Sequence, residues 1–486
     1  MSKRASITSG NFEIMTTATG TYSATSTIDC LVAPLFAACA WVSLNPFFLW
    51  SSGRHMAIAG MLSGLLAAGA FMLGDRPRRR EFSGFMLICV FVIYISLLPK
   101  VDGTTTRWYF VLPTLLALMV FSDERRSGVL QWFTWIFTLS LIPGIIFSLC
   151  AAANIPVTFD HIPLLNPVMA AAGGYYLHAP GALLLASNNL SMPWGGELYR
   201  LCAMYDEPGM VGTLSAFILA ANRFRLKPFP FLIVFIGGLL SFSLAFVVMA
   251  AIGFLYRLWQ VRSFLGVIPL AILGFFGLLI LGVIKPTVAP LAAVEVPAQV
   301  VVVPTAAPQL SIPSPESKAS DTNELSAKEL VQPLAPSEEV VMTTPALPVV
   351  VEPETELRQT KYINNRSLPE MDKLIAKYWS SDTKTILLGL GADSSVVYGG
   401  VSQVVTRLLT DFGLIGAALF TLGMISLVLT ITRTAELPSW TLLFFLLFAL
   451  SVYQRPIVWM PYAFTMFICS AVMAGRRHST PNPEIP

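Results

Sequence analysis

The sequence predicts an all-α polytopic membrane protein with about 12 transmembrane helices. Of its 486 residues 55% are hydrophobic and 12% are charged, and the mean hydropathy is +0.68. An ordinary soluble domain carries about a quarter charged residues, so a soluble fold is excluded. Apolar runs of nearly the ~20 residues that cross a bilayer recur along the chain, and a helix satisfies its own backbone hydrogen bonds there.

The apolar runs place each predicted span. A single kinked helix over 228–256 is an alternative, but the basic residues at 257–262 favour two helices. The predicted spans are 31–50, 56–74, 82–99, 108–121, 128–150, 207–222, 228–241, 243–256, 264–284, 412–431, 440–453 and 457–474. The resulting domains are a polar tail (1–28), spans one to five (29–150), a loop (151–206), spans six to nine (207–284), a large loop (285–411), spans ten to twelve (412–474) and a second tail (475–486).

The distribution of lysine and arginine predicts the orientation, because short cytoplasmic loops accumulate positive charge. With the N-terminus inside, the basic clusters fall in inside loops, and few basic residues occupy the short outside loops. The sequence therefore predicts cytoplasmic N- and C-termini and two long periplasmic loops. The residues assigned to the inside are Lys3, Arg4, Arg76, Arg78, Arg79, Arg80, Arg125, Arg126, Arg223, Arg225, Lys227, Arg257, Arg262, Arg433, Arg476 and Arg477.

Charge and cysteine usage exclude other classes. A net charge of +3 does not indicate a nucleic-acid partner. The six cysteines show neither CxxC spacing nor a paired framework, and we interpret them as packing residues. No metal motif or cofactor motif is present, so we expect neither group. The first apolar stretch lacks a cleavage site and is expected to remain as an anchor.

The two long loops differ in character. The first, 151–206, is rich in Gly, Pro, Asn and aromatic residues and is predicted to be irregular, with a weakly apolar piece at 179–186 that dips into the interface. In the second, residues 286–357 contain twelve prolines and ten acidic residues against two lysines, which is typical of a disordered linker.

Residues 359–411 form the structured part of the second loop. A capping box, Ser367 to Glu370, precedes apolar residues at helical spacing, which predicts an amphipathic helix over about 368–380. Gly389-Leu390-Gly391 predicts a tight turn, and a second amphipathic stretch at 399–411 leads into the next span.

Arginines mark the predicted outer edge of the membrane. Guanidinium groups bind phosphate through two parallel hydrogen bonds and keep their charge when partly desolvated. Snorkelling, in which an arginine anchors a helix at the interface, is the alternative interpretation. The arginines concerned are Arg200, Arg366, Arg407 and Arg455.

Two carboxylates, Asp206 and Glu207, stand at the start of a predicted span, immediately before Pro208-Gly209. Helix capping alone explains acidic residues and proline at this position. An ionisable group close to hydrocarbon is also a functional candidate, and partial desolvation suits a carboxylate to act as a general base.

These motifs occur in an order that resembles the Wzy-type O-antigen and exopolysaccharide polymerases and the related O-antigen ligases. The resemblance covers roughly 200–420 and includes the large loop between spans nine and ten. Its parts are Arg200 followed by Glu207-Pro208-Gly209 at the start of a span, then Asn365-Arg366, Leu387-Leu388-Gly389-Leu390-Gly391 and Phe412-Gly413-Leu414-Ile415-Gly416.

The resemblance implies a GT-C-like, metal-independent inverting glycosyltransferase of the bacterial inner membrane. Its donor and acceptor would be undecaprenyl-diphosphate-linked oligosaccharides at the periplasmic face, and a chain-length regulator and export machinery are expected partners besides membrane lipids. By analogy Arg200 and Arg366 engage the diphosphates or glycan. Glu207 lies in the family's EPG segment, and Glu207, Asp206 or a neighbouring polar group takes the proton of the attacking hydroxyl.

Two departures from the family pattern bear on the prediction. One separates polymerases from ligases, and the other concerns a missing arginine. Ligases resemble one another in carrying a histidine between the Gly-x-Gly turn and the next span, and 392–411 contains none, which favours a polymerase. The turn Ser241-Phe242-Ser243 lacks the arginine that many relatives place after it, so Arg407 or Arg455 would substitute. A ligase-type transferase, a lipid-linked oligosaccharide flippase and a non-catalytic envelope scaffold are the alternatives.

Overall fold

The computed structural model describes residues 24–100, 108–165, 174–192, 194–261, 267–280, 369–399, 404–452 and 458–477. These residues belong to one compact unit, which residues 289–358 interrupt in the sequence. The predicted linker at 286–357 and most of both predicted tails lie outside the described residues.

Helices make up most of the described chain. Numbered in chain order, they are α1 (Ala24–Val42), α2 (His55–Met72), α3 (Phe82–Leu97), α4 (Leu112–Val120), α5 (Asp123–Ala152), α6 (Pro208–Ala221), α7 (Phe229–Leu240), α8 (Leu244–Val261), α9 (Val267–Ile280), α10 (Pro369–Trp379), α11 (Thr383–Leu388), α12 (Ser394–Gly399), α13 (Val404–Thr434), α14 (Pro438–Val452) and α15 (Pro461–Gly475).

Each predicted span coincides with an apolar helix. Three helices, α2, α5 and α13, are long and apolar enough to cross a membrane by length and composition, and the described chain has further apolar helical segments of 10–17 residues. Residues 228–256 form two helices, α7 and α8, as the basic residues after them predict. The chain is therefore a membrane-embedded helical protein, built around α6 and α15, which are buried on nearly all sides.

The predicted bounds of the first span, 31–50, are wrong. Helix α1 begins and ends earlier, at Ala24 and Val42. Asn45 adopts a left-handed backbone conformation (φ 55°), and Pro46 follows it. Both residues disfavour helix continuation, which hydropathy alone does not register.

Four described segments between Asp160 and Ala203 form an antiparallel sheet, so the prediction of an all-α fold with an irregular first loop is wrong for these segments. The strands run in sequence order as β1 (Asp160–Pro163), β2 (Tyr175–Ala179), β3 (Ala182–Ser191) and β4 (Glu197–Ala203). The piece at 179–186 forms the β2–β3 hairpin, in which Ala179 pairs with Ala182, and its position at the membrane interface stays a prediction.

The sheet is stable in this position because both of its faces are buried. Leu177, Leu184 and Leu201 join the main core of the bundle, where Leu201 lies against Gly144 of α5. The alternate residues Leu183 and Cys202 belong to a second apolar cluster, against which Phe47 and Trp50 pack. This alternation is the period of two that a strand requires.

The described helices place the basic loops together at one end of the bundle, which we call the basic end. Ion pairs join these loops, and the opposite end, which carries the sheet, is called the sheet end. The joining contacts at the basic end are Arg125–Asp75 (2.7 Å), Arg78–Asp123 (2.7 Å), Arg476–Glu124 (2.6 Å) and Arg223 Nε to the carbonyl of Ala474 (3.2 Å). The expected clustering of positive loops on one side is thus confirmed for these residues.

A fully buried ion pair fastens the α2–α3 loop to the start of α5. Arg126 and Glu81 are 0% and 2% exposed, and the guanidinium contacts both carboxylate oxygens, at 3.1 and 2.7 Å. Arg126 Nε also donates to the carbonyl of Leu118 at 2.9 Å. Because each charge satisfies the other, neither is left uncompensated in the apolar interior.

Replacing Arg126 with Met is expected to destabilise the bundle by about 3–5 kcal/mol, because Glu81 would remain as an unpaired buried charge. Thermal unfolding in detergent measures the loss. The double substitution Arg126→Met and Glu81→Leu removes both charges and should recover most of it. Equal midpoints for the single variant and the wild type would contradict the assigned role.

Candidate functional site

Arg200 lies on β4 at the sheet end. It pairs with Leu185 of β3, and Leu185 lies opposite Tyr176 of β2, so these three residues share one face of the sheet. The Arg200 side chain is half-buried, and its Nε lies 3.5 Å from the carbonyl oxygen of Ser241 in the turn between α7 and α8. The strand therefore brings the guanidinium to the turn between α7 and α8.

Tyr205 fixes the chain just before the two candidate carboxylates. Its side chain is 0% exposed, its hydroxyl accepts from Trp41 Nε1 at 2.9 Å, and the hydroxyl lies 2.8 Å from Ser140 Oγ. The ring stacks on Phe137 with centroids 5.8 Å apart. Helices α1 and α5 thus hold the connection between β4 and α6 in one position.

Asp206 and Glu207 follow directly on this anchor. The backbone carbonyl of Asp206 accepts a hydrogen bond from the Tyr176 hydroxyl at 2.5 Å. Glu207 is the residue before α6, with an extended backbone (φ −132°, ψ 132°), and its side chain makes no capping hydrogen bond. Helix capping therefore does not account for Glu207. Its side chain is exposed instead of partly desolvated, whereas Asp206 is half-buried.

Cys202 of β4 is a buried thiol, two residues after Arg200 and four before Asp206. Burial raises the pKa of Cys202, the charge of Arg200 lowers it, and the charges of Asp206 and Glu207 raise it. Burial likewise raises the pKa of Tyr176, with further increases from Cys202, Asp206 and Glu207. Tyr176 therefore stays protonated and able to donate at neutral pH.

The serine-containing turn between α7 and α8 lies on one side of the candidate site. Helix α6 approaches the turn at Gly212, where an added Cβ would lie 2.5 Å from the Cβ of Ser243 and 2.9 Å from Ser241 Oγ. Arg200 contacts the same turn through Ser241. The candidate site therefore brings Arg200 and the Asp206–Glu207 segment, which are close in sequence, to the distant turn at 241–243.

Arg407 occupies a separate, enclosed cluster at the start of α13. It is 4% exposed, its Nη2 lies 2.6 Å from Asp393 Oδ1, and its Nε lies 3.1 Å from Asp411 Oδ2. Lys100 Nζ lies 3.2 Å from the other oxygen of Asp393. Two carboxylates compensate this guanidinium, which is almost fully buried, whereas Arg200 is half-buried.

Asp411 is the centre of that cluster and was not predicted from the sequence. It is 0% exposed and accepts from Ser394 Oγ at 2.7 Å, Ser395 N at 2.8 Å and Ser395 Oγ at 3.1 Å. The carboxylate thereby ties α12 to α13. A lone Asp before a span gives no signal for this role, since its serine partners lie in a different predicted element.

The predicted turn at Gly389-Leu390-Gly391 is confirmed, with φ values of 91° and 105° at its glycines. Gly389 lies against the backbone of Asp411, and Gly413, with φ 65°, interrupts α13 beside the carbonyl of Leu387. Only glycine avoids strain at such angles. The predicted amphipathic helix is also confirmed as α10, which buries Met371, Leu374 and Tyr378 and exposes Lys373 and Lys377.

Trp459 connects the enclosed cluster to the helix that begins at Pro208. The guanidinium of Arg407 lies 5.5 Å from the centroid of the Trp459 ring, which also contacts Phe412. Val458, its neighbour, lines a mainly apolar cavity. The other residues lining this cavity come from the first turns of α6, the end of α14 and the start of α15: Met210, Thr213, Leu214, Phe217, Phe448, Ser451, Tyr462, Ala463 and Met466.

Arg366 and Arg455 lie outside the described residues. Two loop histidines take ordinary structural contacts: His178 lies 3.6 Å from Asp160, and His161 packs on Tyr175 with ring centroids 4.6 Å apart. Within the described ranges no group of three His, Cys, Asp or Glu side chains is placed to hold a metal ion.

Comparisons with protein-family models, with curated proteins and with solved structures found no match to this chain. The geometry of the site must therefore carry the functional argument.

Replacing Asp411 with Asn is expected to destabilise the start of α13 by about 3–5 kcal/mol, because Arg407 loses a buried partner. Hydrogen exchange should accelerate at residues 389–395, since Ser395 N loses its charged acceptor. Asp372→Asn on the exposed side of α10 is the matched control and should leave exchange unchanged. Unchanged protection in the Asp411 variant would show that the cluster does not organise the turn.

Proposed function

We propose that this chain is a Wzy-type polysaccharide polymerase, which joins undecaprenyl-diphosphate-linked oligosaccharide repeat units at the periplasmic face of the bacterial inner membrane. One observation carries the proposal: β4 brings Arg200 to the 241–243 turn, α6 packs against that turn at Gly212, and Asp206 and Glu207 join that strand to that helix. A fixed cation can stabilise a departing diphosphate without a metal ion, and a nearby carboxylate can accept the proton of the attacking hydroxyl.

In the proposed reaction a hydroxyl of the acceptor sugar attacks the anomeric carbon of the donor glycan. The bond between that carbon and the lipid diphosphate breaks, and the hydroxyl proton passes to Asp206 or Glu207. Attack opposite the leaving group inverts the anomeric configuration. The departing diphosphate gains negative charge, which Arg200 stabilises because its guanidinium is fixed beforehand by β4 and the 241–243 turn.

The proposed orientation of the protein in the membrane follows from the position of its basic loops. The basic loops gather at the end of the bundle opposite the site, and positive loops face the cytoplasm. The twelve apolar helices would then be spans, with both termini inside and the sheet end in the periplasm. A site facing that side suits substrates that have already been exported on their lipid carrier.

The other predicted arginines have different proposed roles. Arg407 acts as a positioning residue for the Gly-x-Gly turn, because Asp393 and Asp411 already match its charge. Arg366 and Arg455 are proposed as additional contacts to the diphosphates or glycan, on the strength of the sequence resemblance. Ser451 and Val458, which flank the segment containing Arg455, line the same cavity as Met210 and Thr213 of α6.

A ligase-type transferase uses the same bond chemistry, and the absence of histidine from 392–411 favours the polymerase. A flippase is a different class. Transporters are generally built from repeats with binding groups at the bilayer midplane, whereas the candidate residues here lie at one end of the bundle. A non-catalytic scaffold would not need Arg200 and Glu207 at all.

Alanine at Arg200, Glu207 or Arg366 should each abolish long-chain polysaccharide while the protein remains inserted, because leaving-group stabilisation or proton transfer is lost. Gels of surface polysaccharide and of lipid-linked intermediates provide the readout. Arg54→Ala and Asp372→Ala, which remove exposed charges elsewhere, are the matched controls and should leave chain length unchanged.

The same gels separate the alternatives. A polymerase defect accumulates single lipid-linked repeats on the periplasmic side, whereas a flippase defect accumulates them on the cytoplasmic side. Normal chain lengths in all three site variants would refute the proposed function.

Removing the Tyr176 hydroxyl by substitution with Phe is expected to lower kcat roughly two- to tenfold, the equivalent of one hydrogen bond to the Asp206 carbonyl. The KM for the donor should change little, because Tyr176 is proposed to position the carboxylate segment and not to bind the diphosphate. Polymerisation assays with the purified protein and lipid-linked repeats give both constants. A rise in KM at constant kcat would contradict the positioning role.

A further inference from the structure

The backbone of Phe242, in the turn between α7 and α8, adopts a left-handed conformation with φ 47°. A residue that turns left-handed just after a helix is usually glycine, because a side chain strains that conformation. Phe242 instead carries a large ring, which is only 9% exposed. A strained residue of this kind persists only where its surroundings hold it in place, and such residues cluster at functional sites.

Helix α9 supplies the contact that holds Phe242. The rings of Phe242 and Phe276 stack, with their centroids 5.7 Å apart and their planes inclined at 28°. At the next position of α9, an added Cβ on Gly277 would lie 3.4 Å from Val247 of α8, so α9 packs closely beside the turn. Helix α6 meets the serines of the same turn at Gly212. Two helices therefore fix the turn, each through a different residue.

The conformation of Phe242 sets the direction of the carbonyl group that Arg200 contacts. This carbonyl belongs to the peptide unit between Ser241 and Phe242, and its oxygen lies 3.5 Å from Arg200 Nε. A peptide unit is planar and rotates only about ψ of the residue before it and φ of the residue after it. Moving Phe242 to the negative φ that side chains prefer would therefore turn this carbonyl or displace the start of α8.

We propose that Phe242 is a positioning residue for Arg200. Its stack on Phe276 keeps the Ser241 carbonyl in place, and this carbonyl orients the guanidinium towards the departing diphosphate. A cation that is fixed beforehand stabilises developing negative charge without having to reorganise during the reaction. The diphosphate in this inference rests on the proposed function, whereas the restraint on the guanidinium does not.

Phe224 provides a matched comparison within the same chain. It also has a left-handed backbone (φ 53°) and is 1% exposed, and its ring contacts Phe254 with centroids 5.2 Å apart. It follows the end of α6 at the basic end, whereas Arg200 lies at the sheet end. A substitution there loses an equivalent aromatic contact without touching the turn that Arg200 contacts.

The first test measures polymerisation by the purified full-length chain with lipid-linked repeats. Phe242→Leu and Phe276→Leu each remove the stack and should lower kcat about two- to tenfold, the equivalent of one hydrogen bond, with little change in the KM for the donor. The controls are Phe224→Leu and Phe275→Leu, the latter at a 52% exposed neighbour on α9, and both should keep the wild-type kcat. Equal losses in the controls would overturn the inference. Phe276→Leu leaves the turn itself intact and decides the matter if Phe242→Leu does not fold.

The second test follows the Arg200 side chain without any polymerisation. Phenylglyoxal modifies guanidinium groups, and peptide mass spectrometry gives the rate of modification at Arg200. This rate should rise about two- to tenfold in Phe276→Leu, because the carbonyl contact is weakened, and should stay unchanged in Phe275→Leu. A wild-type rate in Phe276→Leu would overturn the inference, as would faster modification with an unchanged kcat. If modification accelerates but the wild type makes no polymer, the proposed function fails and the restraint on Arg200 stands.

Discussion

The buried hydroxyl of Tyr205 is the constraint on which the candidate site depends. It joins Trp41 of α1 and Ser140 of α5 at the point where the chain leaves β4 and enters α6. A hydroxyl in an apolar interior must find such partners, because leaving it unsatisfied costs about 1–3 kcal/mol. The two carboxylates that follow are therefore held against a rigid part of the bundle. Arg200 lies in the same region, on the strand just before Tyr205. The Tyr205 anchor therefore holds both the arginine and the carboxylate segment in place.

The described molecule handles charge differently at its two ends. At the basic end, Arg126 and Glu81 neutralise each other in a dry environment and join loops that would otherwise move independently. At the sheet end, Arg407 is enclosed by Asp393 and Asp411, while Arg200 remains half-buried beside the start of α6. Buried ion pairs of this kind hold segments of the backbone together, because their charges are already matched. Only charges with remaining contact to the surface can meet a substrate.

Hydropathy predicted the helices well, because an apolar run of sufficient length indicates a membrane helix without information about its neighbours. The sheet was missed for the opposite reason. The run at 182–185 is only a few residues long, and its pairing with Tyr176 and Arg200 is a nonlocal property. Arg200 and the Asp206–Glu207 segment were found from residue type and order, whereas Tyr176 and Asp411 were not. Their roles arise from partners distant in sequence, which one chain does not reveal.

The interruption of α13 at Gly413 has a consequence for how this sequence can diverge. An added side chain at Gly413 or Gly389 would collide with backbone atoms of the other segment, at backbone angles that L-residues avoid. Lipid-facing positions of the helices impose no such restriction, because one apolar side chain replaces another there at little cost. Distant homologues should therefore retain this pair of glycines after similarity in the surrounding helices has eroded, so a search keyed to their spacing would reach further than one keyed to overall hydrophobicity.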